Sequence, residues 1–206
     1  MRLPDIRPLV YLITDGKLQP GDLALRNALV ERLRDAALAG VHLIQIREKQ
    51  ISTKELYELT ILVVEALKGT GARVLINGRP DVAAAAGADG VHLPSDGMPA
   101  SEVRRVFPDL MIGISTHTEM EIAAARVAGV DFAVFGPVFA SPGKDEGVGV
   151  ERLSQAVQTA EGLPIIALGG INELNYQHAL DTGAAGFAAI RALRDPVWIM
   201  GIRREL

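Results

Sequence analysis

The sequence predicts an α/β protein closed into a single (β/α)8 TIM barrel, and three observations predict it. Short β-rich runs alternate with longer helix-patterned segments, as a parallel sheet built from βα units requires. There are eight such runs, the number that closes a barrel. A helix-ending glycine, a short gap and a strand recur along the chain as a weak internal repeat, with no linker or low-complexity segment between them. At 206 residues, 49% of them hydrophobic, the chain is most simply one domain over residues 1–206. This is near the lower size limit of the fold, and a doubly wound open sheet is the alternative architecture.

In chain order the strands are expected at LVYLIT (Leu9 to Thr14), VHLIQIR (Val41 to Arg47), RVLIN (Arg73 to Asn77) and GVHL (Gly90 to Leu93). MIGIS (Met111 to Ser115), DFAVFG (Asp131 to Gly136), PIIALG (Pro164 to Gly169) and GFAAI (Gly186 to Ile190) complete the set. Helices start and stop between them. Ser52-Thr53-Lys54-Glu55 has the form of a capping box, Ser52 taking backbone N–H groups and Glu55 reaching back. The pairs Ala39-Gly40, Gly71-Ala72, Gly87-Ala88, Ala128-Gly129 and Gly183-Ala184 each precede a strand, where glycine can take the left-handed conformation that ends a helix.

Composition excludes several classes. A formal charge of −4 and a pI near 5.6 lack the basic footprint of a nucleic-acid binder. With no cysteine, disulfides and thiolate metal sites are ruled out, and the chemistry rests on nitrogen and oxygen groups. No apolar run approaches the roughly 20 residues that span a bilayer, and Pro and Asp interrupt the N-terminus where a signal peptide needs an apolar stretch. The expectation is a cytoplasmic protein with no membrane partner.

Barrels and open α/β sheets both gather ligands at the C-terminal ends of their strands, so the candidates lie there. After the second strand, alternation puts Gln45, Arg47 and Lys49 on one face, with Ile46 and Glu48 on the other. Arg47 can fork two phosphate oxygens, Lys49 adds a mobile charge, and Gln45 can read a heterocycle edge. An unpaired amide inside an apolar strand is costly, which favours a ligand role for Gln45 over a merely solvated strand end. After the sixth strand, Ser141, Gly143 and Lys144 offer hydroxyl, backbone N–H and ammonium groups to a phosphate. Gly169 and Gly170 follow the seventh strand, and Ile190 and Arg191 close the eighth. These last two loops are the usual phosphate grip of such barrels, against the blander reading of a chain turn and a surface arginine.

Of the four histidines, parity turns His42 toward the helices, and His178 reads as a surface residue of a helix. His92 lies in a strand. His117, just past a strand end at a helix start, fits either capping or acid–base work. No pair has the spacing of a metal site.

Taken together, the sequence resembles the superfamily of thiamin phosphate synthase and the TenI-type thiazole tautomerases. The resemblance rests on Tyr11 to Asp15, Gln45 to Lys49, Gly87 to Leu93, Gly113 to Ser115, Gly136 to Phe139 and Gly169 to Ile171, six motifs in order across nearly the whole chain. It implies a barrel that binds a thiazole phosphate through Gly169, Gly170, Ile190 and Arg191, and makes a homodimer plausible. In the synthase branch an aminopyrimidine diphosphate also binds, at positions matching Gln45, Arg47, Lys49, Asn77, Ser115 and Lys144. Loss of diphosphate leaves a pyrimidine cation that the thiazole nitrogen attacks. That branch carries Mg²⁺ on two aspartates, and here their positions hold Gly78 and Gly97, with Asp81 and Asp96 nearby. Such a pair of glycines, and the Leu93-Pro94-Ser95 run, are closer to the TenI branch, which moves a proton on thiazole carboxylate phosphate without a metal or other cofactor. The catalytic histidine of that branch is replaced by Pro137. The expected function is therefore a TenI-type tautomerase using His117 or His92, with Ser115. The alternatives are a Mg²⁺-dependent synthase and a non-catalytic thiazole or thiamin phosphate carrier.

Overall fold

Runs rich in Leu, Ile, Val and Phe form the strands β1 (Leu9–Ile13), β2 (Leu43–Ile46), β3 (Arg73–Asn77), β4 (Gly90–Leu93), β5 (Met111–Thr116), β6 (Phe132–Phe135), β7 (Ile165–Leu168) and β8 (Gly186–Ala189). The computed structural model describes residues 3–140 and 146–204. In it each strand pairs in parallel with its sequence neighbour, and β1 pairs with β8, Tyr11 opposite Ala188. The sheet is a closed barrel, which excludes the open doubly wound alternative. A helix follows each strand: α1 (Leu23–Ala39), α2 (Thr53–Ala66), α3 (Pro80–Ala86), α4 (Ala100–Val106), α5 (Glu119–Val127), α6 (Gly149–Thr159), α7 (Tyr176–Leu180) and α8 (Pro196–Arg204).

The local signals act where their chemistry places them. Ser52 caps α2 by accepting from the Glu55 N–H at 3.2 Å, while the Glu55 carboxylate accepts from the Ser52 N–H at 2.9 Å. Gly87 ends α3 in the left-handed conformation, its N–H returning to Ala83 and Ala84. Gly71 and Gly183 do not end helices directly: α2 stops at Ala66 and α7 at Leu180, and each glycine turns the chain a few residues later. β2 is shorter than the expected Val41–Arg47, because the Arg47 N–H leaves the ladder for Thr14 Oγ1, at 2.8 Å.

Alternation along the strands builds two layers. Leu9, Tyr11, Ile13, Leu43, Leu75, Met111, Phe132, Val134, Ile166 and Ala188 fill the barrel interior. The residues between them, such as Val10, Ile44, Ile46, Val74 and Ile76, pack outward against helical Leu33, Leu59 and Val63. At about 1.5–3 kcal/mol for each large aliphatic side chain buried, these two layers supply the drive to close the sheet. On the N-terminal face, Asp89 takes the Val74 N–H and Arg73, and Asp131 takes the Ile112 N–H and Arg104. These pairs tie strand starts together and leave the opposite face for chemistry. No helix among the described residues is long and apolar enough to cross a membrane.

Candidate active site

Polar groups at the C-terminal strand ends fall on two arcs of the barrel that adjoin at β5, which carries Ser115 on one and leads to His117 on the other. Over β7 and β8 lies a cavity of ≈ 260 Å³, lined by His117, Pro137, Gly169, Gly170, Ile190 and Arg191 with apolar neighbours such as Leu168 and Ala188. Both glycines have positive φ, and a Cβ would lie 2.5 Å from Pro137 Cα at Gly169 and 2.3 Å from the Ala140 carbonyl oxygen at Gly170. Their lack of a side chain lets the loop after β6 close against this arc. Arg191 is exposed and makes no ion pair or side-chain hydrogen bond with the described residues. Its guanidinium is therefore available to an anion in the cavity.

The second arc is formed by β2 to β5. Gln45 is 2% exposed, and its Nε2 donates to Tyr11 Oη at 2.9 Å. Tyr11 Oη lies 3.2 Å from His92 Nδ1, and His92 Nε2 lies 2.9 Å from Ser115 Oγ. This chain of four side chains crosses the barrel interior from β2 through β1 and β4 to β5, and ends at half-buried Ser115. Burial pushes the Tyr11 phenol well above its ordinary value and the His92 imidazole down to about 3. His92 is therefore neutral at ordinary pH. Arg47 and Asn77 are half-buried, and neither side chain has a partner among the described residues.

Several expected residues stand differently from their strand parity. β2 ends at Ile46, so alternation does not extend to Lys49, which is exposed and lines a small pocket with Asn77 and Arg79. Gln45 does face inward, but one of its amide donors is taken by Tyr11. His117 does not cap α5; Thr118 does, by accepting from the Glu121 N–H at 3.2 Å. The His117 ring instead meets the Gly136 carbonyl through Nδ1 at 2.6 Å, and Nε2 has no partner among the described residues. His42 Nδ1 accepts from the Val10 N–H near the N-terminal face, and His178 is exposed on α7. Lys144, with Ser141 and Gly143, lies outside the described residues. Sequence reasoning missed Tyr11 as a polar member of the interior. It also missed Glu48, whose carboxylate accepts the Gly16 and Leu18 N–H groups and pins the loop after β1.

The described side chains do not fit a Mg²⁺ site of two protein carboxylates. Gly78 and Gly97 both lie against Pro94, where an added Cβ would be 3.7 and 3.0 Å from its Cδ, and neither carries a side-chain ligand atom. Asp81 is held by both Nε and Nη2 of Arg79, at 2.9 and 2.7 Å. Asp96 is exposed on the turn after β4, and no cluster of three or more His, Asp or Glu suited to a metal occurs among the described residues.

A family model described as thiamine monophosphate synthase matches residues 10–193. A Geobacter sulfurreducens protein named "Putative thiamine-phosphate synthase" is 43% identical over 188 residues, 89% of this chain and 85% of that one. The thiamine-phosphate synthase of Syntrophomonas wolfei is 35% identical over 201 residues, 96% of this chain and 93% of its own. Among solved structures, a thiamine phosphate pyrophosphorylase from Pyrococcus furiosus superposes with a TM-score of 0.81 at 31% identity, covering 96% of both chains. The names of these relatives favour the synthase over the tautomerase expected from the sequence.

Proposed function

The chain belongs to the thiamine monophosphate synthase family of thiamin biosynthesis, and on that premise we propose that it joins hydroxymethylpyrimidine diphosphate to thiazole phosphate with release of diphosphate. The division of the C-terminal face into two polar arcs carries this reading. Isomerising one phosphate ester needs one anion grip, whereas coupling two phosphorylated substrates needs two. The Arg191 cavity with Gly169, Gly170 and Ile190 suits the thiazole phosphate, and its apolar wall suits the ring. Arg47, Lys49 and Asn77, together with Lys144, suit the diphosphate. Gln45 and Ser115 orient the pyrimidine.

In this reaction the bond from the pyrimidine methylene to the diphosphate oxygen breaks, and its electron pair leaves with the diphosphate. The thiazole nitrogen lone pair then captures the methylene cation. Arg47 and Lys49 take up the negative charge that grows on the leaving oxygen, the kind of stabilisation that lowers such a barrier most. Because Gly78 and Gly97 supply no carboxylate, no step is assigned to a protein-held metal.

Those same glycines favour a second reading, the tautomerase, as does the position of His117 on the cavity wall. There His117 Nε2 moves the proton of thiazole carboxylate phosphate. Incubating the protein with thiazole phosphate and pyrimidine diphosphate, with and without Mg²⁺, and following thiamin phosphate by chromatography tests the main reading. Thiamin phosphate at an enzymatic rate supports the synthase. Its absence, with conversion of thiazole carboxylate phosphate to the aromatic tautomer, transfers the assignment to the second reading; binding without either conversion makes the protein a carrier.

A further inference from the structure

We propose that Tyr11 is a positioning residue of this site: by donating its hydroxyl proton to His92 Nδ1 it holds that imidazole as the Nε2–H tautomer, so that Ser115 turns its own hydroxyl proton toward the bound ligand. This inference deepens the reading above, because it takes the C-terminal face as the substrate site.

The argument is a count of protons. Tyr11 is fully buried, and its oxygen already accepts from Gln45 Nε2. Its single proton has one acceptor among the described residues, His92 Nδ1 at 3.2 Å. A proton on Nδ1 would confront the phenol proton, so the neutral ring carries its hydrogen on Nε2. That hydrogen goes to Ser115 Oγ at 2.9 Å. With one lone pair of Ser115 occupied, its O–H is directed outward from the chain of bonds. The group presented to the ligand is then a donor, and the ligand atom that meets it is an acceptor, a ring nitrogen or a phosphate oxygen. Burial reinforces the arrangement by keeping His92 from taking a second proton.

The order of donors is all or none. If the Gln45 amide were turned over, its oxygen would accept the Tyr11 proton, His92 Nδ1–H would donate to Tyr11, and Ser115 would donate to His92 Nε2. Ser115 would then face the ligand as an acceptor. The His92 tautomer distinguishes the two orders directly.

Two-bond ¹H–¹⁵N correlation on the labelled full-length protein reads that tautomer, with the His92 signals assigned by their loss in His92→Gln. The expected result is an Nε2–H imidazole that does not titrate between pH 5 and pH 8. An Nδ1–H tautomer, or titration within that range, overturns the proposal. Tyr11→Phe keeps the ring and removes the hydroxyl. It should release the tautomer and weaken pyrimidine diphosphate binding about tenfold, the worth of one hydrogen bond. Ser115→Ala should weaken it as much, with no further loss in the double variant. A Tyr11→Phe protein with wild-type tautomer and affinity would sink the idea. If the wild-type protein does not bind pyrimidine diphosphate, the synthase reading fails, while the tautomer still decides the role of Tyr11.

Discussion

At the scale of residues, His92 makes the folded protein sensitive to mild acid. Its imidazole stays neutral in the fold down to about pH 3, whereas the unfolded chain binds that proton near 6.5. Between these values the unfolded state holds more protons, so the contribution to stability is complete above about pH 6.5 and is lost as pH falls toward 3. Urea unfolding of wild type should lose about 2 kcal/mol more than His92→Gln between pH 7 and pH 5. Equal losses would show that the ring charges inside the folded barrel. On the other arc, Arg191→Ala should weaken thiazole phosphate binding by roughly 1.5–3 kcal/mol, one charge-assisted contact. Unchanged affinity in a titration would place the phosphate elsewhere. His92, Ser115 and Arg191 were visible in the sequence because each is polar at a strand end. Tyr11 was not, since an aromatic ring inside LVYLIT reads as one more interior apolar residue. Its partners lie 34 and 81 residues away, at separations that no local pattern reports.

The interior of the barrel depends on strands that make room for one another. A Cβ on Gly113 of β5 would lie 2.3 Å from Phe132 Cζ of β6. That ring in turn packs edge-on against Tyr11, with centroids 5.7 Å apart, and 6.2 Å from His92. Gly113→Ala should therefore destabilise by about 1–3 kcal/mol through overpacking, and Phe132→Leu in the same chain should recover part of the loss. If Phe132→Leu worsens Gly113→Ala in thermal unfolding, the strain is relieved somewhere other than the Phe132 ring. The elements were easier to read than these contacts. Period-two runs and the Ser52–Glu55 box are local and survive into the structure nearly unchanged, and the eight-strand count foretold closure. What parity could not give was the course of the chain beyond a strand end. There Lys49 is exposed beside Asn77 and Arg79, while Glu48 turns to the backbone of the loop after β1.

Closure of the sheet couples the two arcs, because pairing of β1 with β8 leaves no edge at which one half can separate from the other. Trp198, the one tryptophan of the sequence, reports on this from α8, with its ring 5.9 Å from Tyr176 and 5.8 Å from Phe187 of β8. It packs on the β8 side of the barrel, away from the arc over β2 and β3 proposed for the diphosphate. If the barrel unfolds as one unit, its fluorescence and far-ultraviolet circular dichroism should change together in denaturant. A substrate bound on the far arc should then shift both signals equally. Pyrimidine diphosphate at a hundred times its dissociation constant should add about 2.7 kcal/mol to the unfolding free energy read by either probe. A dichroism midpoint that rises while the Trp198 midpoint stays in place would mean that the β7–β8 side unfolds independently. The two arcs would then be separate binding units, and a coupling reaction requires them to be held in one rigid frame.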